Sequence, residues 1–363
     1  MTDQSVTHMT NEDAATQVRE GEELDLVKIE AYLKGNIPGL TGALEVQQFP
    51  GGASNLTYLI KVGDTELVLR RPPFGSTVKS AHDMGREYKI LSKLQGVFPQ
   101  APKPLAFCTN HEVMGCDFYV MRRLHGIILR RDLPKELTLS EADARQLCMN
   151  LMDTLIDLHQ VDYKAAGLAD FGKPEGYVAR QISGWNGRYV KAKTDDVPGC
   201  EKIMQWLDEK QPGDSGFTGI IHNDYKFDNV VLDADDPLKI IGVLDWEMTT
   251  LGDPLMDLGC TLSYWVQADD PQPMQMARML PTHVPGMMTR QELLAYYSQK
   301  SGVPVEHFDF YYVFGLFRLA VIVQQIYKRY VEGKTRDKRF AQFGMFVQVL
   351  SITCEQVIGQ SEL

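Results

Sequence analysis

The sequence predicts an α+β protein of two lobes: a small lobe built on a five-stranded antiparallel sheet with one helix, and a larger, mainly helical lobe. The chain has 363 residues, which is near the upper limit for one hydrophobic core and favours two lobes. Short apolar runs separated by glycine turns fill its first third, and apolar residues at helical spacing dominate the rest. Hydrophobic residues make up 44% and charged residues 23%, which argues against a mainly disordered, fibrous or membrane-spanning chain.

The composition along the chain suggests three parts. Residues 1–23 form an acidic leader that we expect to be flexible. We expect the small lobe to span residues 24–123 and the larger lobe residues 124–363. The stretch around Arg122 to Ile127 is the expected linker, because the predicted sheet ends before it and helical spacing begins after it.

Each element of the small lobe follows from a local pattern. Apolar or β-branched runs bounded by glycine pairs, prolines or polar turns predict five strands, at residues 44–49, 56–62, 66–70, 106–108 and 118–121. The first three form a meander. One helix is predicted at residues 83–94, because four apolar or aromatic residues share one helical face there, namely Met84, Tyr88, Leu91 and Leu94. A polar turn around Asn110 joins the last two strands.

The larger lobe begins with a strong helical signal at residues 140–159. Ser140 precedes Asp143 by three residues, which is the spacing of a helix capping box. The expected buried stripe of this helix consists of Leu147, Leu151, Leu155 and Leu158. Two short strands are predicted at 230–232 and 240–244, and helices resume from there to the end.

Charge, hydropathy and cysteine spacing exclude several classes of protein. The formal net charge is -11, and residues 1–25 contribute -6 of it, because they hold seven acidic residues against Arg19 alone. We find no long basic run, so we expect no nucleic-acid partner. No apolar run approaches the ~18 residues of a membrane span, and the start lacks the basic then apolar order of a signal peptide, so we expect a cytoplasmic protein without membrane contact. The six cysteines show no C-x-x-C pair, and we expect no structural metal.

The segment 222–229 carries the most informative polar pattern, which reads HNDYKFDN. It lies between an apolar pair and a predicted strand, so we place it on a loop. Sixteen residues after Asn229, a strand ends at Asp245. Phosphoryl transfer requires a carboxylate that orients the acceptor hydroxyl and oxygen ligands that hold magnesium on the nucleotide phosphates. Asp224 suits the first role, and Asn229 and Asp245 suit the second. Taken alone, such residues are also common in hairpin turns.

A glycine turn joins the first two predicted strands, where a nucleotide kinase needs close backbone approach to the phosphates. Gly51 and Gly52 permit that approach. The Ser54 hydroxyl and nearby backbone amides could donate hydrogen bonds to phosphate, and we include Asn55 in this nucleotide-binding set. Two glycines between strands also occur in ordinary hairpins, so the position of the turn is what carries the argument.

The third predicted strand offers a cation for the nucleotide phosphates. Arg70 lies on this strand, and Glu87 on the following helix could pair with it. Strand alternation puts Val68 on the same face as Arg70, so Val68 would cover the adenine if Arg70 faces the phosphates. An ordinary surface ion pair would explain Arg70 and Glu87 equally well.

Together these motifs resemble the aminoglycoside phosphotransferase-like kinases, small-molecule relatives of the protein kinases. The likeness covers the chain from about Leu24 onward and is specific because it combines many motifs, namely Gly51-Gly52, Arg70, Glu87, residues 118–121, 222–229 and 245–247. The segments LRRPP at 69–73 and GLFRLA at 315–320 look most like the subgroup that also occurs fused to acyl-CoA dehydrogenases. The resemblance implies a two-lobed protein-kinase-like fold, ATP and Mg²⁺ as cofactors, Asp224 as the catalytic carboxylate and Met121 as a nucleotide contact.

The chain departs from most kinases of this fold in one position, because Arg70 stands where they have lysine. Arginine keeps the charge and can bind phosphate through two nitrogens, and the resemblance suggests that this subgroup commonly has arginine there. A non-catalytic nucleotide-binding scaffold remains an alternative, although intact Asp224, Asn229 and Asp245 disfavour it. A protein kinase is disfavoured because the motif at 245–247 reads DWE and no Ala-Pro-Glu segment appears. We expect Asp257 to hydrogen-bond the 222–229 segment.

The acceptor is the least determined part of the prediction. Arg318, Tyr327 and Arg329 lie in one helical region, and Arg318 and Arg329 are 11 residues apart, so they could share a face and attract a carboxylate or a phosphate-bearing carrier. The resemblance to proteins fused to acyl-CoA dehydrogenases suggests a hydroxyacyl compound or hydroxyacyl-CoA. An aminoglycoside or choline acceptor is the alternative. The sequence does not indicate the oligomeric state.

Overall fold

The computed structural model describes residues 14–50, 55–74, 83–213, 215–335 and 337–363. Within them, the helices and strands follow one another in this order: α1 (Leu26–Asn36), β1 (Leu44–Gln48), β2 (Leu56–Val62), β3 (Thr65–Arg71), α2 (Met84–Leu94), β4 (Pro104–Cys108), α3 (His111–Met114), β5 (Phe118–Arg122), α4 (Glu141–His159), α5 (Tyr177–Ala192), α6 (Glu201–Lys210), β6 (Gly219–Ile221), β7 (Val230–Leu232), β8 (Ile240–Val243), β9 (Thr250–Gly252), α7 (Pro254–Ser263), α8 (Gln272–Ala277), α9 (Arg290–Ser301), α10 (Phe308–Val331) and α11 (Phe343–Gln360).

The chain divides into two compact units, as an α+β fold of two lobes requires. The first unit contains the described residues up to Gly126 together with Pro134–Thr138 and Ile241–Glu247. The second unit contains Ile127–Leu133, Leu139–Ile240 and Met248–Leu363. The segment Ile241–Glu247, which includes Asp245, therefore groups with the sheet of the first unit, whereas the sequence analysis assigned it to the larger lobe.

The first unit is built on the five-stranded antiparallel sheet that the sequence predicts. Its strand order is β1-β2-β3-β5-β4, and the observed strand ends lie within two residues of the predicted ones. In the pairing of β3 with β5, Val68 lies opposite Met121 and Arg70 lies opposite Tyr119. The register of these strands thus places the predicted nucleotide-binding residues Val68 and Met121 side by side.

Helix α2 lies within the range that the sequence predicts, and Asp83 precedes it as a cap. The Asp83 side chain accepts a hydrogen bond from the backbone N–H of Arg86 at 2.9 Å, which caps the helix. Met84, Leu91 and Leu94 are buried as predicted, and the Tyr88 ring stacks on Phe107 at 5.3 Å. This helix fixes the position of Glu87, which is 2% exposed.

Two helices of the first unit were not predicted. In α1, only Ile29 and Leu33 are fully buried, where they join the core of the sheet, and two apolar positions four residues apart give a weak periodic signal. The polar turn expected around Asn110 is the one-turn helix α3, whose first turn Asn110 caps by accepting from the N–H of Glu112 at 3.0 Å. The small lobe therefore holds more than the one helix that we predicted.

The described part of the acidic leader contacts the sheet. Thr16 forms an antiparallel bridge with Gln48 of β1, and the Tyr58 hydroxyl donates to the carbonyl oxygen of Glu22 at 2.8 Å. The Gln48 side chain is 1% exposed and donates to the Glu22 carboxylate at 2.6 Å. These contacts differ from the flexible leader that we predicted, while residues 1–13 lie outside the described part of the chain.

The second unit packs around helix α10, which lies against α5, α7 and α11. Helices α7 and α10 cross at two glycines: a Cβ atom built on Gly315 would lie 2.1 Å from the carbonyl oxygen of Gly259, and one built on Gly259 would lie 2.2 Å from the carbonyl oxygen of Tyr311. Only glycine permits such close approach of two helix backbones. This crossing places Arg318, one turn beyond Gly315, inside the unit.

Helix α10 also bears on the expected lack of membrane contact. Among the described residues it is the one helix long and apolar enough to cross a membrane, with 24 residues and a mean hydropathy of 1.3 in its most apolar window, which the sequence analysis did not anticipate. However, 72% of that window is buried inside the protein. A helix at the core of a folded unit has this composition as well, so the finding is weak evidence for a membrane span.

Helix α4 and two short strands position the segment 222–229, which we call the 222–229 loop. The capping box of Ser140 and Asp143 is present, and the predicted stripe of leucines on α4 is fully buried. Strand β6 pairs with β9 in an antiparallel ladder that the sequence did not reveal, and it ends at the residue before His222. The Tyr225 hydroxyl donates to the carbonyl oxygen of Leu151 at 2.8 Å, which anchors the loop on α4.

Candidate active site

A buried carboxylate on helix α7 holds the start of the 222–229 loop. Asp257 is 0% exposed, and its two oxygens accept the backbone N–H groups of His222 and Asn223, each at 2.7 Å. The predicted hydrogen bonding of Asp257 to this loop is thus confirmed. The geometry requires Asn223 to adopt a left-handed backbone, with φ at 65°, which costs energy in a residue other than glycine. Strain of this kind persists only where surrounding contacts fix the backbone.

Two histidines, His159 and His222, keep the Asp257 carboxylate ionised. His159 Nε2 lies 3.1 Å from Asp257 Oδ2, and His159 Nδ1 lies 2.8 Å from the Tyr297 hydroxyl. Burial alone would raise the pKa of Asp257, but the hydrogen bond from His159 and the nearby His159 and His222 side chains hold that pKa below its usual value. Asp257 therefore acts as a fixed negative charge that positions the loop.

Asp224 is a partly exposed acidic group of the loop, and two side chains orient it. Its Oδ2 atom accepts from Lys226 Nζ at 2.5 Å and from Asn229 Nδ2 at 2.8 Å. The Asp224 side chain is 21% exposed, so one carboxylate is at once held by donors and open to solvent. This is the arrangement that a carboxylate needs in order to accept a hydrogen bond from a substrate hydroxyl.

Lys226 is a site residue that the sequence analysis did not single out. Its ammonium group is buried between two carboxylates, 2.5 Å from Asp224 Oδ2 and 3.3 Å from Asp228 Oδ1, and it lies 5.1 Å from the centre of the Tyr264 ring. Burial would lower the pKa of Lys226, but Asp224, Tyr264 and Asp228 raise it overall. A lysine two residues from each of two aspartates was the available signal, since alternate residues of an extended loop can meet around one side chain.

The loop itself fixes the orientation of the Asn229 side chain. Its Nδ2 group donates to the backbone oxygen of Asp224 and to Asp224 Oδ2, both at 2.8 Å. Both bonds use the amide nitrogen, so the Oδ1 atom, which can coordinate a cation, is not engaged in them. The orientation of the amide is therefore set by Asp224.

In the first unit, Arg70 lies among three carboxylates. Its Nε atom is 3.2 Å from Glu87 Oε2, and its Nη2 atom is 3.0 Å from Asp245 Oδ1 and 3.7 Å from Glu247 Oε2. The predicted pairing of Arg70 with Glu87 is thus present. Burial would lower the pKa of Arg70, but Glu87, Tyr119, Asp245 and Glu247 raise it well above its usual value. Among the described residues, these four side chains carry one formal positive and three formal negative charges.

The polar neighbours of Glu87 complete this cluster. The Tyr119 hydroxyl donates to Glu87 Oε2 at 2.8 Å. The Asn55 amide donates to Glu87 Oε1 at 3.2 Å and to Glu247 Oε2 at 2.7 Å. Asn55 is 2% exposed, so its side chain links the start of β2 to the segment that follows β8. Glu247 was not predicted as a site residue, and its signal was its place two residues after Asp245.

Asp245 lies two residues beyond the end of strand β8 in a strained backbone, with φ at 65°. Asn223, Asp245 and His307 are the non-glycine residues with positive φ among those that the structure describes, and the first two lie in the motifs at 222–229 and 245–247. The Trp246 indole nitrogen donates to the carbonyl oxygen of Val243 at 2.8 Å, which closes the turn. Strain at two motif residues is what functional positions often show.

The donor chemistry of Asn229 and Asp245 fits magnesium. Amide and carboxylate oxygens are ligands that Mg²⁺ prefers, and the Asp245 side chain is 34% exposed. No group of three or more His, Cys, Asp or Glu side chains that could hold a metal occurs in the described ranges.

The remaining predicted nucleotide residues divide into two groups. Val68 and Met121 are 8% and 7% exposed and face each other across β3 and β5, so both offer apolar surface at one point of the sheet. Gly51, Gly52 and Ser54 lie outside the described residues. Their proposed contacts with phosphate stay a prediction.

The three predicted substrate residues on helix α10 differ in their exposure and contacts. Arg318 is 2% exposed, whereas Arg329 is exposed. The Tyr327 hydroxyl donates to Asp196 Oδ2. Arg318 and Arg329 are spaced to share a helical face, but that face is buried in the middle of α10 and exposed near its end. Binding of substrate by these residues stays a prediction, and the structure describes a distinctive environment for Arg318 alone.

Comparison with known proteins agrees with these motifs. Residues 45–280 match the sequence model of the phosphotransferase enzyme family. Acyl-CoA dehydrogenase family member 10 of Mus musculus is 33% identical over 326 residues, which cover 89% of this chain and 30% of the relative. The chain thus spans about a third of the length of that curated relative.

Solved structures show the same fold. A candidate aminoglycoside phosphotransferase of Ralstonia eutropha matches 94% of this chain and 100% of its own, with 29% identity and a TM-score of 0.79. The aminoglycoside phosphotransferase APH(2")-IIia, solved with GDP and kanamycin, matches 92% of this chain and 99% of its own, with 14% identity and a TM-score of 0.62. At that identity, the second likeness shows the fold alone.

Proposed function

This chain belongs to the phosphotransferase enzyme family, and from that premise we propose that it transfers the γ-phosphoryl group of ATP to a hydroxyl group of a hydroxyacyl compound. Family membership makes it a small-molecule kinase with an alcohol group as acceptor. ATP, magnesium and the identity of the acceptor are parts of the proposal. The observation that carries it is the 222–229 loop, in which Asp224 is held by Lys226 and Asn229.

Asp224 is the proposed catalytic residue. Its carboxylate accepts a hydrogen bond from the acceptor hydroxyl, orients the oxygen towards the γ-phosphorus and takes up the proton as the new P–O bond forms. Lys226 and Asn229 fix the carboxylate, and Asp257 fixes the backbone of the loop. Transfer is direct and in line, so no phosphorylated enzyme forms and ADP is the leaving group.

Asn229 and Asp245 are the proposed magnesium ligands. The ion would neutralise charge on the nucleotide phosphates. Asn229 offers Oδ1, and Asp245 offers a carboxylate within a cluster that carries excess negative charge. Arg70 binds the phosphates. Glu87, whose Oε2 atom is 3.2 Å from Arg70 Nε, orients the guanidinium group.

The rest of the nucleotide site is proposed from position along the sheet. Gly51 and Gly52 let the backbone approach the phosphates, and the Ser54 hydroxyl donates to them. Val68 and Met121 supply apolar surface for the adenine ring, because they are opposite residues on neighbouring strands. Asn55 acts through Glu87 and Glu247, to both of which its amide donates.

Two observations support an acyl compound or its CoA thioester as the acceptor. The curated relative is named as a member of the acyl-CoA dehydrogenase family, and phosphorylation converts a hydroxyl into a better leaving group. A small apolar pocket lies beside Tyr264, whose ring centre is 5.1 Å from Lys226 Nζ of the 222–229 loop. Met274, Leu319 and Phe346 are among the residues that line it. An aminoglycoside or choline acceptor and a non-catalytic scaffold are the alternatives.

Magnesium-dependent release of ADP tests the proposal. Purified protein is assayed with hydroxy acids, hydroxyacyl-CoAs, aminoglycosides, choline, homoserine and simple sugars. We expect one class of hydroxyacyl compound to stimulate ADP release, and we expect Asp224→Asn to reduce the stimulated rate by about 10²–10⁴-fold. Asp235→Asn, on the exposed turn after β7, is the matched control and should retain the rate.

The other outcomes separate the alternatives. Stimulation by aminoglycosides or choline alone would overturn the acyl acceptor and leave the chemistry in place. Nucleotide binding without turnover across the panel would favour the scaffold. An unchanged rate in Asp224→Asn would remove Asp224 from the mechanism.

A further inference from the structure

Arg318 on helix α10 is a buried cation without a carboxylate partner. It is 2% exposed. Its Nη2 atom contacts the Met248 sulfur at 3.3 Å, its guanidinium carbon lies 5.2 Å from the centre of the Trp185 ring, and its Nη1 atom has no hydrogen-bond partner. No acidic side chain lies within ion-pair distance of it among the described residues. The guanidinium group is therefore enclosed mainly by sulfur and aromatic surface.

Such a group is costly in a folded protein. Removing a charge from water is unfavourable unless a partner of opposite charge or several hydrogen bonds replace the water. Two other arginines of this chain, Arg290 and Arg70, meet this requirement. Arg290 pairs with both oxygens of Asp270 at 2.6 Å, and Arg70 lies among three carboxylates. Arg318 lacks such a partner, as expected of a group whose partner is a ligand.

A second arginine lies on the same aromatic ring. The Arg188 guanidinium carbon is 4.4 Å from the centre of the Trp185 ring, and Trp185 and Arg188 are three residues apart on α5, on one helical face. Burial lowers the pKa of Arg188, and the charge of Arg318 lowers it further. Among the described residues, neither arginine forms an ion pair. Two cations thus lie on one tryptophan ring in a chain whose net charge is -11, and the Asp224 carboxylate acts electrostatically on Arg318.

Arg318 is linked to the 222–229 loop through Met248. The sulfur of Met248 contacts Arg318, while its carbonyl oxygen accepts from Asn223 Nδ2 at 3.0 Å. The Tyr177 hydroxyl, on the same helix as Trp185 and Arg188, donates to Asn223 Oδ1 at 3.2 Å. Asn223 immediately precedes Asp224. An anion bound at Arg318 would therefore lie near the carboxylate that we propose to be catalytic.

We propose that Arg318, assisted by Arg188 across Trp185, binds a carboxylate group of the acceptor, so that the acceptor is a hydroxy acid. A carboxylate is preferred to a phosphate because it matches the planar guanidinium through two hydrogen bonds and carries a single charge into an apolar enclosure. The same cations repel cationic acceptors such as choline and aminoglycosides. The catalytic consequence rests on the proposed function, whereas binding of the carboxylate does not.

Calorimetry without nucleotide tests the binding step alone. We expect hexanoate to bind to the wild-type protein and matched hexanamide to bind at least about tenfold more weakly, because a charged hydrogen bond is lost. Arg318→Met and Arg188→Gln should each weaken hexanoate binding by about tenfold or more. Arg339→Gln removes an exposed arginine and serves as the control. Equal affinity for acid and amide, or tighter binding of inorganic phosphate than of hexanoate, would overturn the proposal.

Thermal unfolding separates a ligand-binding arginine from a structural one. Arg318→Met keeps an unbranched side chain and removes an unpaired buried charge, so we expect a Tm equal to or above that of the wild type. Hexanoate should raise the Tm of the wild type but not of Arg318→Met. A marked fall in Tm together with the loss of binding would assign Arg318 a structural role. Arg188→Gln, at a more exposed position, keeps the binding test valid in that case.

Kinetics then connect the site to the reaction. For a hydroxy acid that the enzyme phosphorylates, we expect Arg318→Met to raise KM by about tenfold or more, with a smaller effect on kcat. For the corresponding neutral hydroxy amide, the wild type and Arg318→Met should have similar kcat/KM values. Equal losses for acid and amide would contradict the proposal. Absence of turnover with binding intact would instead count against the proposed function.

Discussion

At the residue scale, the motif at 222–229 could be predicted because its side chains are close in sequence. Asp224 and Asn229 meet within one loop, and spacing alone is enough to indicate this. Arg188 and Trp185 could not be assigned in this way, because their meaning depends on Arg318, which is more than a hundred residues away on another helix. Lys226 lies inside the motif, but its two ion pairs depend on how the loop turns.

The buried carboxylate of Asp257 gives the first prediction at this scale. We expect Asp257→Asn to lower the free energy of unfolding by about 2 kcal/mol at pH 7, because an amide cannot accept both loop N–H groups as a carboxylate does. The folded-state pKa of Asp257 lies below its ordinary value, so the stabilisation is present above about pH 4 and is lost as the pH falls through the folded pKa.

Urea unfolding of both proteins between pH 3 and pH 8 measures this effect. The difference between wild type and variant should be constant from about pH 5 to pH 8 and should shrink below about pH 4. A difference that grows as the pH falls would contradict the assignment. Asp235→Asn, on the exposed turn, is the control.

Arg70 gives the second prediction. It meets Glu87 through Nε and Asp245 through Nη2, and the single ammonium group of a lysine cannot reproduce this fork. We expect Arg70→Lys to raise KM for ATP by about tenfold and Arg70→Gln to raise it further. Arg123→Lys, which alters a partly exposed pair with Glu66, is the matched control. An unchanged KM for ATP in Arg70→Gln would show that Arg70 does not bind the nucleotide.

At the scale of the element, the sequence predicted what depends on local periodicity. The strands of the first unit and helices α2 and α4 have strong alternation, buried stripes or caps, and their observed ends agree closely with the predicted ones. Strands β6 and β9 have three residues each and form only through their mutual pairing, so no local signal existed. Helix α1 was missed because only two of its positions are fully buried.

The crossing of α7 and α10 gives a prediction at this scale. A methyl group at position 315 would lie 2.1 Å from the carbonyl oxygen of Gly259, and backbone cannot move away as a flexible side chain could. We expect Gly315→Ala to lower the free energy of unfolding by about 2 kcal/mol through overpacking. Gly187→Ala, on α5 where no atom lies within 4 Å of the added methyl, should be neutral or stabilising.

Chemical unfolding of the two glycine variants provides the test. Because Arg318 follows Gly315 by one helical turn, Gly315→Ala should also weaken hexanoate binding, and Gly187→Ala should leave stability no lower than in the wild type. Equal stability of Gly315→Ala and wild type would show that the two helices can separate at little cost.

At the scale of the whole molecule, the sequence predicted an α+β fold of two parts, and the structure and the comparisons confirm the fold. Composition could not show that the segment Ile241–Glu247 groups with the sheet, because that assignment depends on long-range contacts such as the packing of Trp246 against Phe98 at 5.9 Å. Net charge was informative only as an average. The charge count along the chain placed the acidic excess in residues 1–25. It could not reveal that Arg188 and Arg318 meet at the Trp185 ring.

The most direct test of the central claim is the detection of the phosphorylated product. Wild-type protein and Asp224→Asn are incubated with ATP, Mg²⁺ and a hydroxy acid that stimulates ADP release, and the products are analysed by phosphorus NMR and mass spectrometry. We expect one phosphate ester at the acceptor hydroxyl for each ADP formed with the wild type, and a rate about 10²–10⁴-fold lower with Asp224→Asn. ADP formed together with free phosphate and an unmodified acceptor would contradict the account.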